Sequence, residues 1–270
     1  MLNVAIRSMR YHAAHAGADL IQGLEFRVSD GEFISLLGRS GAGKTTLLRM
    51  IAGFESNFDG EIQIDGVPVH EPGRAVQMVF QDSRLLPWKT VFENVAFATS
   101  DPTGGETRGQ VMNWLSRVGL LDKEREWPKN LSGGEATKVA IARALVVSPK
   151  ILLLDEPFGH LDLVTRFEIQ NELLRDLQMT CPSTLLVSHN IDDAVFLSDQ
   201  IHVLATRPMR IARTFTVAVP RPRIRGDARL SQIASEIADY LSKLAVTANN
   251  GGDLPRQLQW TDDCRLPHEI

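Results

Sequence analysis

The chain has 270 residues, of which 43% are hydrophobic and 23% charged, a composition that predicts one large α/β domain with an embedded smaller unit. Its net charge of −4 provides no positive field for nucleic acid, so a nucleic-acid partner is not expected. No apolar run approaches the roughly 20 residues that cross a bilayer, and residues 1–10 lack the apolar core of an export signal. We therefore expect a soluble, cytosolic protein.

A strand, a loop and a helix follow one another near the N-terminus. The apolar run Glu32–Leu37 predicts a buried strand, Gly38–Gly43 is a glycine-rich turn, and Lys44–Ala52 has helical spacing. Further on, two Asp-Gly pairs flank the alternating segment Glu61–Ile64, which is typical of a small antiparallel hairpin. These signals predict an N-terminal β region.

Helical spacing dominates the middle of the chain, where residues 83–149 are predicted to form an inserted helical subdomain. Beyond it, apolar strand-like runs alternate with helical stretches. This alternation predicts a mostly parallel sheet with helices packed on it. The predicted strands are Ile151–Leu154, Ser183–Val187 and Gln200–Leu204, and the helices between them are Val164–Leu177 and Asp192–Leu197.

The composition changes after Pro220, where Arg221–Arg225 forms a stiff basic connector. We expect the basic stretch around Arg207–Arg225 to be a solvated face, with contact to anionic lipid or to the partner's cytosolic loops as the alternative. Leu230–Leu244 carries apolar residues on one helical face and predicts an amphipathic helix, and the end, through Ile270, is expected to be a flexible tail. We therefore predict that residues 1–220 form the main domain and that residues 221–270 form a C-terminal helical extension with the flexible tail.

The glycine-rich turn fits the phosphate-loop pattern G-x-x-x-x-G-K-[ST] and lies between a strand and a helix, as that pattern requires. Its backbone N–H groups can surround a β-phosphate, Lys44 can reach the β- and γ-phosphates, and the Thr45 hydroxyl can ligate Mg²⁺. An ordinary turn before a helix is the alternative. The loop consists of Gly38, Arg39, Ser40, Gly41, Ala42, Gly43, Lys44 and Thr45.

Polar residues end two of the predicted strands, where ligands of open parallel sheets gather. Asp155 can hold magnesium while Glu156 orients and deprotonates water, although buried strands also end in acids without function. His189 is placed to touch a γ-phosphate, against the alternative of a structural histidine. Gln81 can bridge magnesium, water and the helical subdomain, or be a surface glutamine.

A second anion-binding surface is predicted at Leu131–Glu135. Its Ser-Gly-Gly turn opens a helix and offers a hydroxyl and free N–H groups at the positive end of the helix dipole.

In their order and spacing these motifs, with Gly159–Asp162, resemble the ATP-binding subunits of ABC transporters from about Val4 to Leu244. The resemblance implies a P-loop NTPase (RecA-like) core, an N-terminal antiparallel β subdomain and a head-to-tail dimer. ATP with Mg²⁺ would lie between the phosphate loop of one subunit and the turn Leu131–Glu135, here called the signature turn, of the other. The implied contacts across the interface are Ser132, Gly133 and Gly134; further nucleotide contacts are Thr46, Asp162 and Tyr11, which stacks on adenine or is a surface tyrosine.

Closer similarity to importers for nitrate, taurine and other sulfonates comes from Phe80–Trp88, Val91–Val95 and the Arg-Pro pairs after residue 206. It implies an ATP-hydrolysing motor at the cytoplasmic face of the inner membrane. Its partners would be a second copy or a paired ATPase subunit, integral membrane permease subunits and, indirectly, a solute-binding protein. Leu85, Leu86 and Trp88 are alternatively core residues.

Two departures from the family pattern stand out. Glu135–Lys138 replaces a glutamine- and arginine-rich helix opening, and His160 replaces an alanine or serine. The first is expected to weaken contacts with ATP across the interface, and the second lies at the expected dimer seam. Glu135–Lys138 therefore leaves a degenerate regulatory subunit open as an alternative. An ABC-type ATPase that acts on a non-transport partner is a separate alternative.

Overall fold

A computed structural model describes residues 1–10, 19–39, 41–206 and 208–249, with side chains up to residue 245. No helix within these ranges is long and apolar enough to span a membrane. Their strands are β1 (Leu2–Met9), β2 (Ile21–Val28), β3 (Phe33–Leu37), β4 (Asp59–Ile64), β5 (Val67–Pro68), β6 (Val76–Val79), β7 (Ile151–Asp155), β8 (Ser183–Ser188), β9 (Gln200–Ala205) and β10 (Arg210–Thr216). Their α-helices are α1 (Lys44–Ile51), α2 (Val91–Ala96), α3 (Gly105–Arg117), α4 (Gly133–Leu145), α5 (Leu163–Thr180), α6 (Ile191–Leu197) and α7 (Ala228–Asn249).

The N-terminal sheet is antiparallel, with the strand order β2-β1-β4-β5. Along β1 the buried residues Leu2, Val4 and Ile6 alternate with more exposed ones, because successive side chains of a strand point to opposite faces. The predicted hairpin is confirmed as β4 and β5. The strands β1 and β2, which the pattern did not locate individually, complete this sheet.

The larger sheet has the order β10-β9-β3-β8-β7-β6, and only the edge strand β10 runs antiparallel to its neighbour. The predicted, mostly parallel sheet is therefore confirmed. Every residue of β3, β7 and β8 is buried, which is why apolar residues in these strands do not alternate with exposed polar ones. Their carboxyl ends lie side by side and bring the loops after β3, β7 and β8 together.

Three helices, α2, α3 and α4, fall between β6 and β7, inside the segment where helical spacing dominates. Val111, Trp114 and Leu115 of α3 are buried in the same core as the apolar side of α4. Each of these helices hides one apolar face against the others, as its sequence period requires. The segment therefore forms a helical layer beside the parallel sheet.

The expectation of a solvated basic connector is wrong for three arginines. Arg223 is buried and donates to five backbone carbonyl oxygens, and Arg221 donates to Asp199 and to a backbone carbonyl. The end of helix α6 leaves carbonyl groups without helical partners, and these guanidinium groups satisfy them. The oxygens that Arg223 binds belong to Val195, Phe196, Ser198, Val217 and Val219.

The third arginine, Arg225, is enclosed by aromatic rings. Its guanidinium lies 3.6 Å from the ring centre of Phe167 and 3.8 Å from that of Phe196, and it donates to Gln170. The amphipathic helix that follows is confirmed as α7, whose Leu230 and Ile237 are buried. The C-terminal segment thus packs on α6. Residues 250–270, the predicted flexible tail, lie outside the described ranges.

Candidate functional site

Two glycines of the segment between β3 and α1 occupy positions that disfavour a larger residue. Gly43, which begins α1, has φ +94°, in the left-handed region that favours glycine. A Cβ atom on Gly38 would lie 3.3 Å from Cβ of Leu204, so a larger residue has little room there. No side chain caps the start of α1, so its first N–H groups are available to bind an anion.

Lys44 lies inside this loop with only 5% of its side chain exposed. Its Nζ donates to the carbonyl oxygens of Gly38 (2.8 Å) and Arg39 (3.1 Å) and lies 3.8 Å from Oε1 of Glu156. Burial lowers the pKa of Lys44, and the neighbouring carboxylate of Glu156 opposes that shift. The ammonium group is therefore held where the loop can bind phosphate.

A hydroxyl and a carboxylate meet where β7 ends. Thr45 Oγ1 donates to Asp155 Oδ1 over 3.1 Å. Burial raises the pKa of Asp155, while the hydrogen bond from Thr45 lowers it. Both oxygens are hard donors of the kind Mg²⁺ prefers when it keeps one or two protein ligands and binds phosphate with the rest. Within the described ranges, no group of three or more His, Cys, Asp or Glu side chains is placed to hold a metal ion.

Glu156 joins the ends of β7 and β8. Its backbone N–H donates to Val187, and its Oε2 lies 2.7 Å from Nδ1 of His189. Its φ of +48° is unusual for a residue with a side chain and is the kind of strain found at functional sites. The carboxylate therefore contacts both Lys44 and His189, at the edge where Asp155 meets Thr45.

Gln81 follows β6, the neighbour of β7, and lies at the same edge with an exposed side chain. Thr46 is partly buried in the first turn of α1, while Arg39 and Gly41 are exposed and Ala42 is buried. Two predicted contacts lie outside the described residues: Ser40, from the phosphate-loop pattern, and Tyr11, which the resemblance assigned to adenine.

The segment after Gln81 is fixed by a residue that the sequence analysis missed. Arg143 of α4 donates to the carbonyl oxygens of Ser83 and Arg84, each over 2.9 Å, and burial lowers its pKa. An arginine within the apolar run of α4 is the signal that was available, because buried charges are rare unless paired. The contact joins the helical layer to the segment after β6.

Ser132 is the N-cap of α4 and forms a capping box with Glu135. The Ser132 hydroxyl accepts from the Glu135 N–H (3.3 Å), and the Glu135 carboxylate accepts from the Ser132 N–H (2.8 Å). Glu135 also pairs with Lys123, and this bond is the main reason that its pKa is lowered. The departure at Glu135 thus stabilises the turn. The sequence pattern S-x-x-E from Ser132 to Glu135 is typical of this capping box.

The turn is presented outward rather than toward the loop of its own chain. Ser132 and Gly133 are exposed, and no hydrogen bond or ion pair of the described residues joins the turn to the phosphate loop. Gly134 is buried, and a Cβ atom there would lie 2.4 Å from Cγ2 of Thr165 on α5. Asp162, the other predicted contact in this region, caps α5 by accepting from the backbone N–H groups of Val164 and Thr165. The Thr165 side chain, followed by these N–H groups, lowers the pKa of Asp162.

A phosphate loop after a parallel strand, with carboxylates at a neighbouring strand end, defines a P-loop nucleoside triphosphatase. The sequence profile described as ABC transporter matches residues 21–159. The chain therefore belongs to the ABC transporter family, as an ATP-binding ATPase subunit.

Relatives are similar over most of their length. The chain is 42% identical to the aliphatic sulfonates import ATP-binding protein SsuB 1 of Xanthomonas axonopodis pv. citri (strain 306), covering 84% of this chain and 92% of the relative. It is 38% identical to the SsuB protein of Pseudomonas putida (strain KT2440), covering 90% of this chain and 88% of the relative.

Among solved structures, the dimeric ATP-binding cassette MJ0796 bound to ADP and Pi is 26% identical with a TM-score of 0.71, covering 82% of this chain and all (100%) of that one. The cbiO1 protein of Clostridium perfringens has a TM-score of 0.73 at 24% identity, covering 93% of this chain and 96% of that one, and it supports the fold alone.

Proposed function

We propose that this chain is the ATP-hydrolysing motor subunit of an ABC importer for a small anion of the aliphatic sulfonate, taurine or nitrate type. The strongest support for the motor is the meeting of Thr45 with Asp155 and of Lys44 and His189 with Glu156 at one sheet edge. Support for the substrate class comes from relatives named as aliphatic sulfonate importers.

The residues divide the reaction among them. Thr45 and Asp155, with Gln81, would hold Mg²⁺, which neutralises phosphate charge when bound. Lys44 and the N–H groups of the loop would bind the β- and γ-phosphates. Glu156 would orient the attacking water and accept its proton, while His189 would hold Glu156 and contact the γ-phosphate.

The second half of the nucleotide site would come from another copy of the chain. Ser132, Gly133 and Gly134 begin a helix whose dipole and free N–H groups favour an anion, and the first two are exposed. In the proposed dimer they contact the γ-phosphate bound to the partner's loop. Asp162 lies at the same seam, and Tyr11 would stack on adenine.

The proposed membrane partners are permease subunits, with a solute-binding protein acting indirectly, at the cytoplasmic face of the inner membrane. Trp88 and Phe97 are 69% and 56% exposed and flank α2, just beyond the segment that Arg143 fixes. Large exposed apolar side chains at both ends of one short helix fit a protein interface. We assign this surface to the permease.

The motor assignment is tested by hydrolysis of ATP by the purified chain with Mg²⁺. Glu156→Gln should abolish phosphate release and leave binding of a fluorescent ATP analogue intact, because only the proton acceptor is lost. Glu172→Gln, the same chemical change in a partly buried ion pair with Lys138 on another pair of helices, is the matched control and should retain activity. Hydrolysis that survives Glu156→Gln contradicts the assignment.

Transport is tested separately, by expressing the chain with its genomically neighbouring permease and measuring ATP-dependent uptake of labelled taurine, an alkanesulfonate and nitrate into vesicles. Uptake of none of these anions contradicts the substrate class. Co-purification with a soluble partner in place of a membrane protein favours the non-transport alternative.

A further inference from the structure

Thr137, from the departing segment Glu135–Lys138, and His160, the other departure from the family pattern, lie against each other. Thr137 is in the first turns of α4, and His160 is in the loop that follows β7. The distance from Thr137 Oγ1 to His160 Nε2 is 3.3 Å. Two substitutions that look unrelated in the sequence therefore form one contact.

The direction of this hydrogen bond follows from the protons available. Thr137 Oγ1 donates to the Gly133 carbonyl oxygen over 3.0 Å, which uses the one hydroxyl proton. His160 must therefore donate from Nε2–H to a lone pair of Thr137 Oγ1. Thr137 is only 2% exposed, so water cannot readily replace this donor.

The imidazole of His160 also contacts the beginning of α4. A Cβ atom built on Gly133 would lie 3.4 Å from Cδ2 of His160, so the ring lies over the first residue of the helix. Gly133 is the residue that follows the exposed N-cap Ser132. His160 thus contacts the signature turn both by a hydrogen bond, through Thr137, and by direct packing.

The backbone that carries His160 is itself fixed to the end of β7. The Gly159 N–H donates to the Glu156 carbonyl, and the Leu161 N–H donates to the Phe158 carbonyl, each over 3.2 Å. Phe158 is fully buried in the core. Two successive turns therefore hold His160 at a defined place relative to Glu156.

We propose that His160 and Thr137 are a matched pair of positioning residues that orient the turn Ser132–Gly134 toward the nucleotide held by the partner subunit. This proposal rests on the proposed dimeric ATPase. Alanine at position 160 would leave Thr137 without its donor. The pair would give both residues a role in an active site, so a degenerate subunit is not needed to explain them.

A double-mutant cycle in ATP hydrolysis tests the pairing. His160→Ala and Thr137→Val should each lower kcat about three- to tenfold at 25 °C, the cost of losing one neutral hydrogen bond from an oriented group. The double variant should lose no more than the single ones. His160→Gln, which keeps an amide N–H donor, and Thr137→Ser, which keeps the hydroxyl, should recover most of the activity.

A second measurement separates positioning from folding. In a Glu156→Gln background, His160→Ala should weaken ATP-driven dimerisation in size-exclusion chromatography, although the chain stays folded at 25 °C. A lower melting temperature with unchanged kcat and dimerisation would reduce the pair to a structural contact. Multiplying losses in the double variant would show that the residues act separately. A wild-type chain that hydrolyses no ATP would instead remove the proposed function.

Discussion

The phosphate-loop region and the signature turn differ in where their polar groups find partners. In the first, Lys44, Thr45 and Glu156 make contacts between separate elements of the same chain, at one sheet edge. In the second, Ser132 and Glu135 bond mainly to each other and leave the helix start exposed. The fold brings the groups of the phosphate-loop region together from separate elements. The signature turn is instead fixed by its own neighbours and is exposed, as expected of a surface that contacts another subunit.

The largest expected effect on ATP hydrolysis comes from blocking the signature turn at Ser132. Ser132→Arg should lower kcat about 10²- to 10³-fold, because a bulky side chain displaces the turn from the γ-phosphate, a loss comparable to removing a key transition-state donor. Binding of a fluorescent ATP analogue to the single subunit should persist. Ser132→Asp is the informative control, since aspartate caps a helix as well as serine but repels phosphate. It should be stable and inactive.

Mixing inactive variants tests whether the two regions work in different subunits. Ser132→Arg with Lys44→Ala should regain about a quarter of wild-type activity, since half of the dimers then contain one intact site of two. Each variant alone stays inactive. No recovery on mixing, with heterodimers present, would place both regions in one subunit's site.

Acid should weaken the sheet that carries the phosphate loop. His202 on β9 pairs with β3 next to that loop, and burial lowers its pKa from 6.5 to about 4. The unfolded chain therefore binds a proton that the folded chain does not, and stability present above pH 6.5 is lost as the pH falls toward 4. The loss attributable to His202 should reach about 3 kcal/mol.

Urea unfolding of wild type and His202→Leu at pH 7 and pH 4 measures this difference. Thr214→Val removes the hydrogen-bond partner of His202 but keeps the imidazole, so it should retain the pH dependence. Equal pH dependence in wild type and His202→Leu would rule out the buried imidazole as the cause.

A substitution at Gly134 tests how closely the signature turn packs against α5. Gly134→Ala should destabilise the chain by about 2 kcal/mol, because the new methyl group meets Cγ2 of Thr165. Thr165→Ser removes that methyl group and should restore much of the melting temperature in the double variant. Without such rescue, the glycine would be required for another reason.

The smallest effect is expected at Glu135. Glu135→Gln keeps the capping box and loses only the ion pair with Lys123, so the free energy of unfolding should change by less than about 0.5 kcal/mol. Glu135→Ala removes both and should cost about 1 kcal/mol. Thermal melts compare them. A large loss of ATPase activity in Glu135→Gln would give the carboxylate a role beyond capping.

Local patterns were sufficient for the parts of the site that depend on sequence neighbours. The phosphate loop, Asp155 and Glu156 follow from glycine spacing and from the rule that parallel strands present their carboxyl ends together. The capping box at Ser132 was readable too, from the glutamate three positions on, although Glu135 was interpreted as a defect. The catalytic and binding roles of these residues stay predictions.

The remaining features depend on which distant surfaces meet. Nothing in the sequence near Arg223 predicts that the end of α6 would need donors there, and a basic run is usually solvated. Arg143 reaches the segment after β6 only because α4 packs beside it. The contact between Thr137 and His160 likewise requires two loops to be placed by the whole core. Such contacts depend on how distant elements pack in three dimensions, and the spacing of apolar residues along the sequence does not predict that packing.

The contacts of Arg223 determine how far the chain can be truncated from its C-terminal side and still fold. A chain cut at Pro220, where the composition changes, would lose the guanidinium that serves five carbonyl oxygens at the end of α6 and in the segment beside it. Those buried acceptors would then lack donors, each at a cost of about 1 kcal/mol or more. The smallest fragment that folds on its own is therefore expected to end beyond Arg225.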